Sequence, residues 1–313
     1  MVDSTTEPRV DSGAVEIGPR TQHVLAAWGV LDRIRSRALP QRGMEVAGRP
    51  GLDRSTRPML HLAQPETERV LADRVRESGV VVERGVTLTG LVPDSGGVNV
   101  TLRAADRLES ARFQWVIGAD GAHSAVRGLV GSGLRGRFPA THFLVGDATI
   151  DSEHPRDVSR LLVAADGIAV VTHLPDGLSR LLVQIPDPGP RTGPPDPDAW
   201  CRLARERAGV RVVELRWCRF HSVQLGQVPR YRVGRVLLVG DAAHVQNPAG
   251  GQGLDTAMAD AENLAEKLAL VVNQRAAEQL MDTYHDERHP VGQDVVRRDA
   301  LLTVNPRVRV KPR

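Results

Sequence analysis

The sequence predicts an α/β chain in which strand–turn–helix units frame an inserted antiparallel sheet. Three observations predict it. Residues 236–239 form a short apolar run between Gly234 and Gly240, followed by a glycine-rich loop and a helix-period stripe. A second strand, acidic turn and helix start surround Asp120 and Gly121. Between these two units, residues 143–186 carry four short apolar runs separated by turn residues, with no helical pattern.

The elements follow in order. Residues 1 to about 16 are polar and weakly patterned. Thr21 then precedes a helix through Ile34, with Val24, Leu25, Trp28, Leu31 and Ile34 on one face and a break near Gly29. Residues 43–58 are rich in glycine, proline and arginine and read as loop or short strands. Gln64, Pro65, Glu66 and Glu68 open a second helix, because proline suits the first turn and acids favour its positive end; Gly79 closes it. Residues 80–82, 86–92 and 98–102 read as strands, the last two joined through Asp94-Ser-Gly-Gly. Ser124 is a plausible N-cap beyond Asp120 and Gly121, although an Asp-Gly pair is equally an ordinary tight turn.

The inserted sheet takes strands at 144–150, 161–163, 168–171 and 180–185, with turns at Asp166-Gly and Pro175-Asp-Gly. Residues 186–197 are a proline-rich loop, 198–207 a helix and 210–224 a returning strand. After residues 236–239 come Gly240, Asp241, Ala242, Ala243, His244, then Pro248, Gly250, Gly251 and Gly253. From there Leu254, Ala257, Met258, Ala261, Leu264, Ala265 and Leu268 make one helical stripe. A glycine-rich helix entry lets backbone approach a ligand and presents unpaired N–H groups; the same glycines could serve packing alone. Residues 279–289 read as a last helix ending at Pro290, and the end of the chain as an unpatterned basic tail.

Composition narrows the function. The 313 residues include 41% hydrophobic and 25% charged side chains, ordinary for a soluble domain with a real core. The net charge of +3 raises nucleic acid as a partner, but only Lys267 and Lys311 are lysines and aromatics are 3%, which predicts no nucleic-acid binding. Cys201 and Cys218 are the only cysteines, so neither a metal site nor a disulfide framework is expected. No stretch approaches a membrane span and no leader pattern opens the chain; the expectation is a cytoplasmic protein with no membrane partner.

Taken together, these stretches resemble the FAD-dependent aromatic hydroxylases of the para-hydroxybenzoate hydroxylase and polyketide hydroxylase type. Gly240-Asp241-Ala242-Ala243-His244 with Pro248, Gly250, Gly251, Gly253 and Leu254 is similar to the family's second FAD motif. Asp120, Gly121, Ser124 and Arg127 resemble the motif near FAD and the nicotinamide cofactor's pyrophosphate; Gln64 stands where members often place a flavin-contacting glutamine. Tyr284-His285-Asp286-Glu287-Arg288-His289-Pro290 resembles the segment after the motif helix. The resemblance implies a Rossmann-like FAD-binding domain (17–140 and 225–295), an inserted β-sheet substrate domain (141–224) and a tail (296–313). It also implies that FAD is reduced by NAD(P)H and that one oxygen atom of O₂ passes to a small aromatic substrate lying against residues 143–150 and 161–171. His142, His173 and His221 are candidates for handling a phenol, with no catalytic residue assigned.

The sequence departs from the family in two places. No GxGxxG turn for the ADP half of FAD occurs, so the domain reads as N-terminally truncated: a misassigned start or fragment, a non-catalytic relative, or an enzyme that holds FAD without its usual cradle. Asp255 replaces the usual asparagine and would set a carboxylate beside the flavin pyrimidine, opposing the helix unless protonated. The competing expectation is a flavin-free scaffold or binding protein. A halogenase is disfavoured by the absence of a Trp-x-Trp-x-Ile-Pro motif.

Overall fold

A computed structural model describes residues 1–8, 10, 13–47, 59–136, 140–164, 166–189, 193–247 and 251–304, with backbone alone at 301–304. Seven helices are present among these residues: α1 (Pro19–Ala27), α2 (Leu31–Arg35), α3 (Gln64–Glu77), α4 (Ala125–Leu129), α5 (Pro197–Ala208), α6 (Gly253–Val272) and α7 (Asp282–Val304). The expected break between α1 and α2 occurs at Gly29, whose φ of 74° ends the first helix. Ser124 caps α4 by accepting from the Arg127 N–H, as its position predicts. Asp196 caps α5 the same way, accepting from the N–H groups of Asp198 and Ala199.

Strand Val236–Leu238 is central in a three-stranded sheet. It pairs in parallel with Val116–Gly118 and antiparallel with Arg232–Val233. Because the first two strands are parallel and in register, the turns that follow them, at Asp120 and at Asp241, emerge at the same carboxyl edge. In open α/β sheets that edge is where ligands bind. Leu237, Leu238, Val236, Tyr231 and Tyr284 fill the core behind it, each at most 1% exposed. A second core of Ile17, Val24, Leu25, Ile34 and Val70 joins α1, α2 and α3.

The inserted sheet has six strands in the order Arg211–Val223, Thr141–Asp151, Leu178–Ile185, Gly167–His173, Val158–Ala164 and Gly43–Val46. Five are antiparallel neighbours, as expected. The sixth, Gly43–Val46, is a short strand in the stretch read as loop or short strands, but its place was not expected: it pairs in parallel with Val158–Leu161, and residues 48–58 of that stretch lie outside the described residues. Helix α5 covers one face, packing Trp200, Ala204 and Ala208 on Leu144, Ala148 and Leu181. The other face carries Phe143, Val145, Ile168, Val170 and Leu182 with Trp217.

Other expectations are corrected. Residues 80–82 are not a strand; Val81 is 69% exposed, and pairing begins at Glu83–Arg84, parallel to Val2–Asp3. The hairpin of Val86–Pro93 and Val98–Ala104 gains a third strand, Arg107–Phe113. The last helix does not stop at Pro290. It runs from Asp282 to Val304 because both of its halves are anchored: Tyr284 enters the main core, while Val296 and Ala300 pack on Val223, Leu225 and Val245. Residues 296–304, read above as tail, are therefore helical, and 305–313 lie outside the described residues. No helix among the described residues is long and apolar enough to cross a membrane.

Candidate active site

The two acidic turns are fastened together by Arg127. Its guanidinium donates to the carbonyls of Ala122 (2.6 Å), Ala242 (3.1 Å) and Asp241 (3.4 Å), so the first residues of α4 grip the loop beyond Leu238. Asp120 accepts from the Ser124 hydroxyl and from the Val126 N–H at 3.0 Å, which aims α4 and with it Arg127. Burial lowers the Arg127 pKa, and Asp120 and Asp241 oppose that shift. Asp241 is exposed, yet crowding by surrounding protein raises its carboxyl pKa, with His244 and Arg127 pulling it back. Standing accessible at the carboxyl edge of the parallel strands, it can meet a ligand's hydroxyl groups.

Among the described residues no side chain caps the first N–H groups of helix α6, and the positive end of its dipole favours an electron-rich partner. A side chain at Gly253 or at Gly121 would meet nothing within 4 Å, so the space outside both turns is open. These features fit a flavin's pyrimidine edge. Leu254 faces the opposite way and packs on the α1–α3 core. Pro248 and Gly250 lie outside the described residues.

Asp255 has a structural task that its sequence position did not suggest. Its Oδ1 accepts from the Thr21 N–H at 3.3 Å and from the Thr21 hydroxyl at 2.5 Å. Thr21 lies in the first turn of α1, whose own cap position is Gly18 and has no side chain to offer. Asp255 thus caps α1 from α6, and its charge rests at a helix N-terminus. Gly18 leaves the room: a Cβ there would come within 2.0 Å of Asp255 Oδ2.

Gln64 stands at the start of α3. Its Oε1 accepts from the N–H groups of Gly13 and Ala14, both at 3.1 Å, and its Nε2 donates to Glu68. The Gly13 carbonyl in turn accepts from Arg180 at 3.1 Å. Arg180 is a residue of the inserted sheet, fully paired with buried Asp147 through two bonds of 2.6 and 2.7 Å. Trp217 donates its indole N–H to Asp147 and lies 5.1 Å from the Arg180 guanidinium. Gln64 therefore marks the seam between the α/β part and the sheet face opposite α5.

Of the three candidate histidines, only His221 shares that face. It stands opposite Phe143, and burial followed by Arg219 pushes it down to about 4. His142 bonds Ser222, and His173 is buried against Ser179 with its pKa pushed down to about 4 by burial. His244 is fully buried between Asp260 (2.6 Å) and Gln246 (2.8 Å), while Arg288 holds the other oxygen of Asp260 at 2.6 Å. It shapes the loop. Asp299, unremarked in the sequence, reaches from α7 to accept from the Asn247 N–H at 2.8 Å, one residue before Pro248. Nothing local signals that role, since the contact joins residues 52 apart.

Residues 1–299 match the FAD binding domain family. The chain belongs to that family. It is 34% identical over 313 residues to 6-methylpretetramide 4-monooxygenase of Streptomyces rimosus, covering 93% of this chain and 55% of that protein. Among solved structures, the flavin-dependent monooxygenase PieE, in complex with FAD and substrate, superposes with a TM-score of 0.83 at 27% identity. That match covers 97% of this chain and 58% of PieE. The Diels-Alderase PyrE3 of pyrroindomycin biosynthesis superposes at 0.81 with 28% identity, over 97% of this chain and 67% of PyrE3. This family member therefore spans just over half the length of the first two relatives.

Proposed function

We propose that the chain holds the flavin of FAD at the carboxyl edge of its parallel strands and serves an NAD(P)H-dependent monooxygenase acting on aromatic or polyketide compounds. The observation that carries this reading is the uncapped start of α6, which opens beside an accessible, crowded Asp241. Bound and reduced FAD supplies activation of O₂ for transfer of one oxygen atom to an electron-rich ring. Asp241 would accept from the ribityl hydroxyls, and the first N–H groups of α6 would hold the pyrimidine edge. Arg127 would keep the Asp120 and Asp241 turns at a fixed spacing. The substrate would lie on the face bearing Phe143, Val145, Val170 and Leu182, with His221 at its rim.

FAD titration followed by visible absorbance tests the cofactor, with Asp241→Ala and Arg127→Met as controls. Saturable binding weakened tenfold or more by either change supports the reading, a loss of about 1.4 kcal/mol or more. No binding by the unaltered chain sinks it and leaves the flavin-free scaffold. Flavin-dependent NAD(P)H oxidation with phenolic polyketides, giving products one oxygen heavier, then separates hydroxylation from a cyclisation role like that named for PyrE3.

A further inference from the structure

Glu16 is absorbed by none of the motifs above. It lies in the short strand Glu16–Ile17, opposite His61 in Met59–His61, and reaches across to the glycine loop. A Cβ built on Gly251 would fall 2.1 Å from Glu16 Oε2, so the Glu16 carboxyl occupies the space a side chain at Gly251 would take. Gly251 lies two residues before α6 begins and has a φ of 63°. Among the described residues, no hydrogen-bond donor reaches the Glu16 carboxyl, whereas Asp255 beside it takes both donors of Thr21. The other charged groups around it offer no relief. Arg20, on the exposed side of α1, is engaged by Glu262, and His61 is buried with its pKa pushed down to about 4 by burial.

Two carboxyl groups therefore meet at the mouth of α6, and only one has compensation for its charge. We propose that Glu16 is a flavin-positioning residue that must carry a proton for the cofactor to seat. Its neutral carboxyl packs against Gly251, whereas its ionised form would add a second charge beside Asp255, where an electron-rich pyrimidine edge docks. The electrostatics agree in direction: burial, then Asp255, pushes Glu16 up to about 7. A negative ligand at the same mouth favours the neutral form further, so proton and cofactor bind together. The inference rests on the flavin reading above and adds to it a group whose protonation decides affinity.

The test is FAD titration by fluorescence quenching at about pH 6 and about pH 8 on the full chain, with Glu16→Gln as the permanently neutral form. The unaltered chain is expected to bind about tenfold more weakly at the higher pH, and Glu16→Gln equally well at both. Glu16→Ala, which empties the contact, is expected to be equally flat. Melting of the cofactor-free chain gives an independent readout: stability should fall as pH rises through about 7, and Glu16→Gln should remove that fall. Binding without pH dependence, or a slope that survives in Glu16→Gln, overturns the role of Glu16 while leaving the flavin reading intact. No FAD binding by the unaltered chain at either pH overturns both.

Discussion

Asp255 and Gly18 act as one unit, and the stability of α1 depends on it. Asp255→Ala removes the acceptor of the Thr21 N–H and hydroxyl, and is expected to cost about 1–2 kcal/mol in urea unfolding. Asp255→Asn, which keeps an acceptor oxygen, should cost less. Gly18→Ala should destabilise the unaltered chain by driving its methyl into the carboxylate, and far less in an Asp255→Ala background. A coupling near zero in that double-mutant cycle would refute the shared cap. Asp299 gives a pH prediction. Burial pushes its carboxyl up to about 6. A raised folded pKa means the contribution is full below the unfolded value and is lost as pH rises through the folded one. Between about pH 5 and about pH 7 the unaltered chain should lose about 1 kcal/mol relative to Asp299→Asn. Equal pH profiles would count against it. Single residues are where the sequence was least legible. The family position of Asp255 was visible in the sequence, whereas its partner Thr21, 234 residues away, was not.

At the scale of elements, the strands and helices that carry the site were legible because each has a local cause. The apolar run ending at Leu238 and the stripe beginning at Leu254 announce a buried strand and a half-buried helix. Ser124 announces the start of α4. The local rule failed at Pro290, where burial on both sides carries α7 through a residue that normally ends a helix. It also failed at residues 80–82, whose β-branched side chains find no partner strand. The link between the inserted sheet and the α/β part was invisible, because it runs through a buried ion pair. Arg180→Met leaves Asp147 buried with only the Trp217 indole, and should cost about 3–5 kcal/mol by urea unfolding. The double change Arg180→Met with Asp147→Leu should recover much of that. If the double variant is no more stable than the single, the cost does not come from an uncompensated charge.

At the scale of the molecule, the alternation of strand–turn–helix units with an all-strand insertion was enough to predict the architecture. What periodicity could not show is that the insertion is not closed on itself. Its edge strand Gly43–Val46 precedes it by about a hundred residues, and Arg180 holds the Gly13 carbonyl. The segment 141–224 made alone would lack that strand and leave Val158–Ala164 as an unpaired edge. It is expected to melt without a cooperative transition, and to regain one when residues 43–46 are returned on a linker. A sharp melt of the bare segment would show that the edge strand is dispensable.

The borrowed strand also bears on the order of events as the chain folds. Gly43 meets Val158 only after more than a hundred intervening residues have been made, so this pairing closes a long loop and has a high entropic cost. The hairpins within 158–185 close short loops and can form first, offering a ready edge. The segment from α3 to α4 must already be laid between them when that edge is filled. The last parallel rung thus works as a latch, set late and tying the first part of the chain to the edge of the inserted sheet.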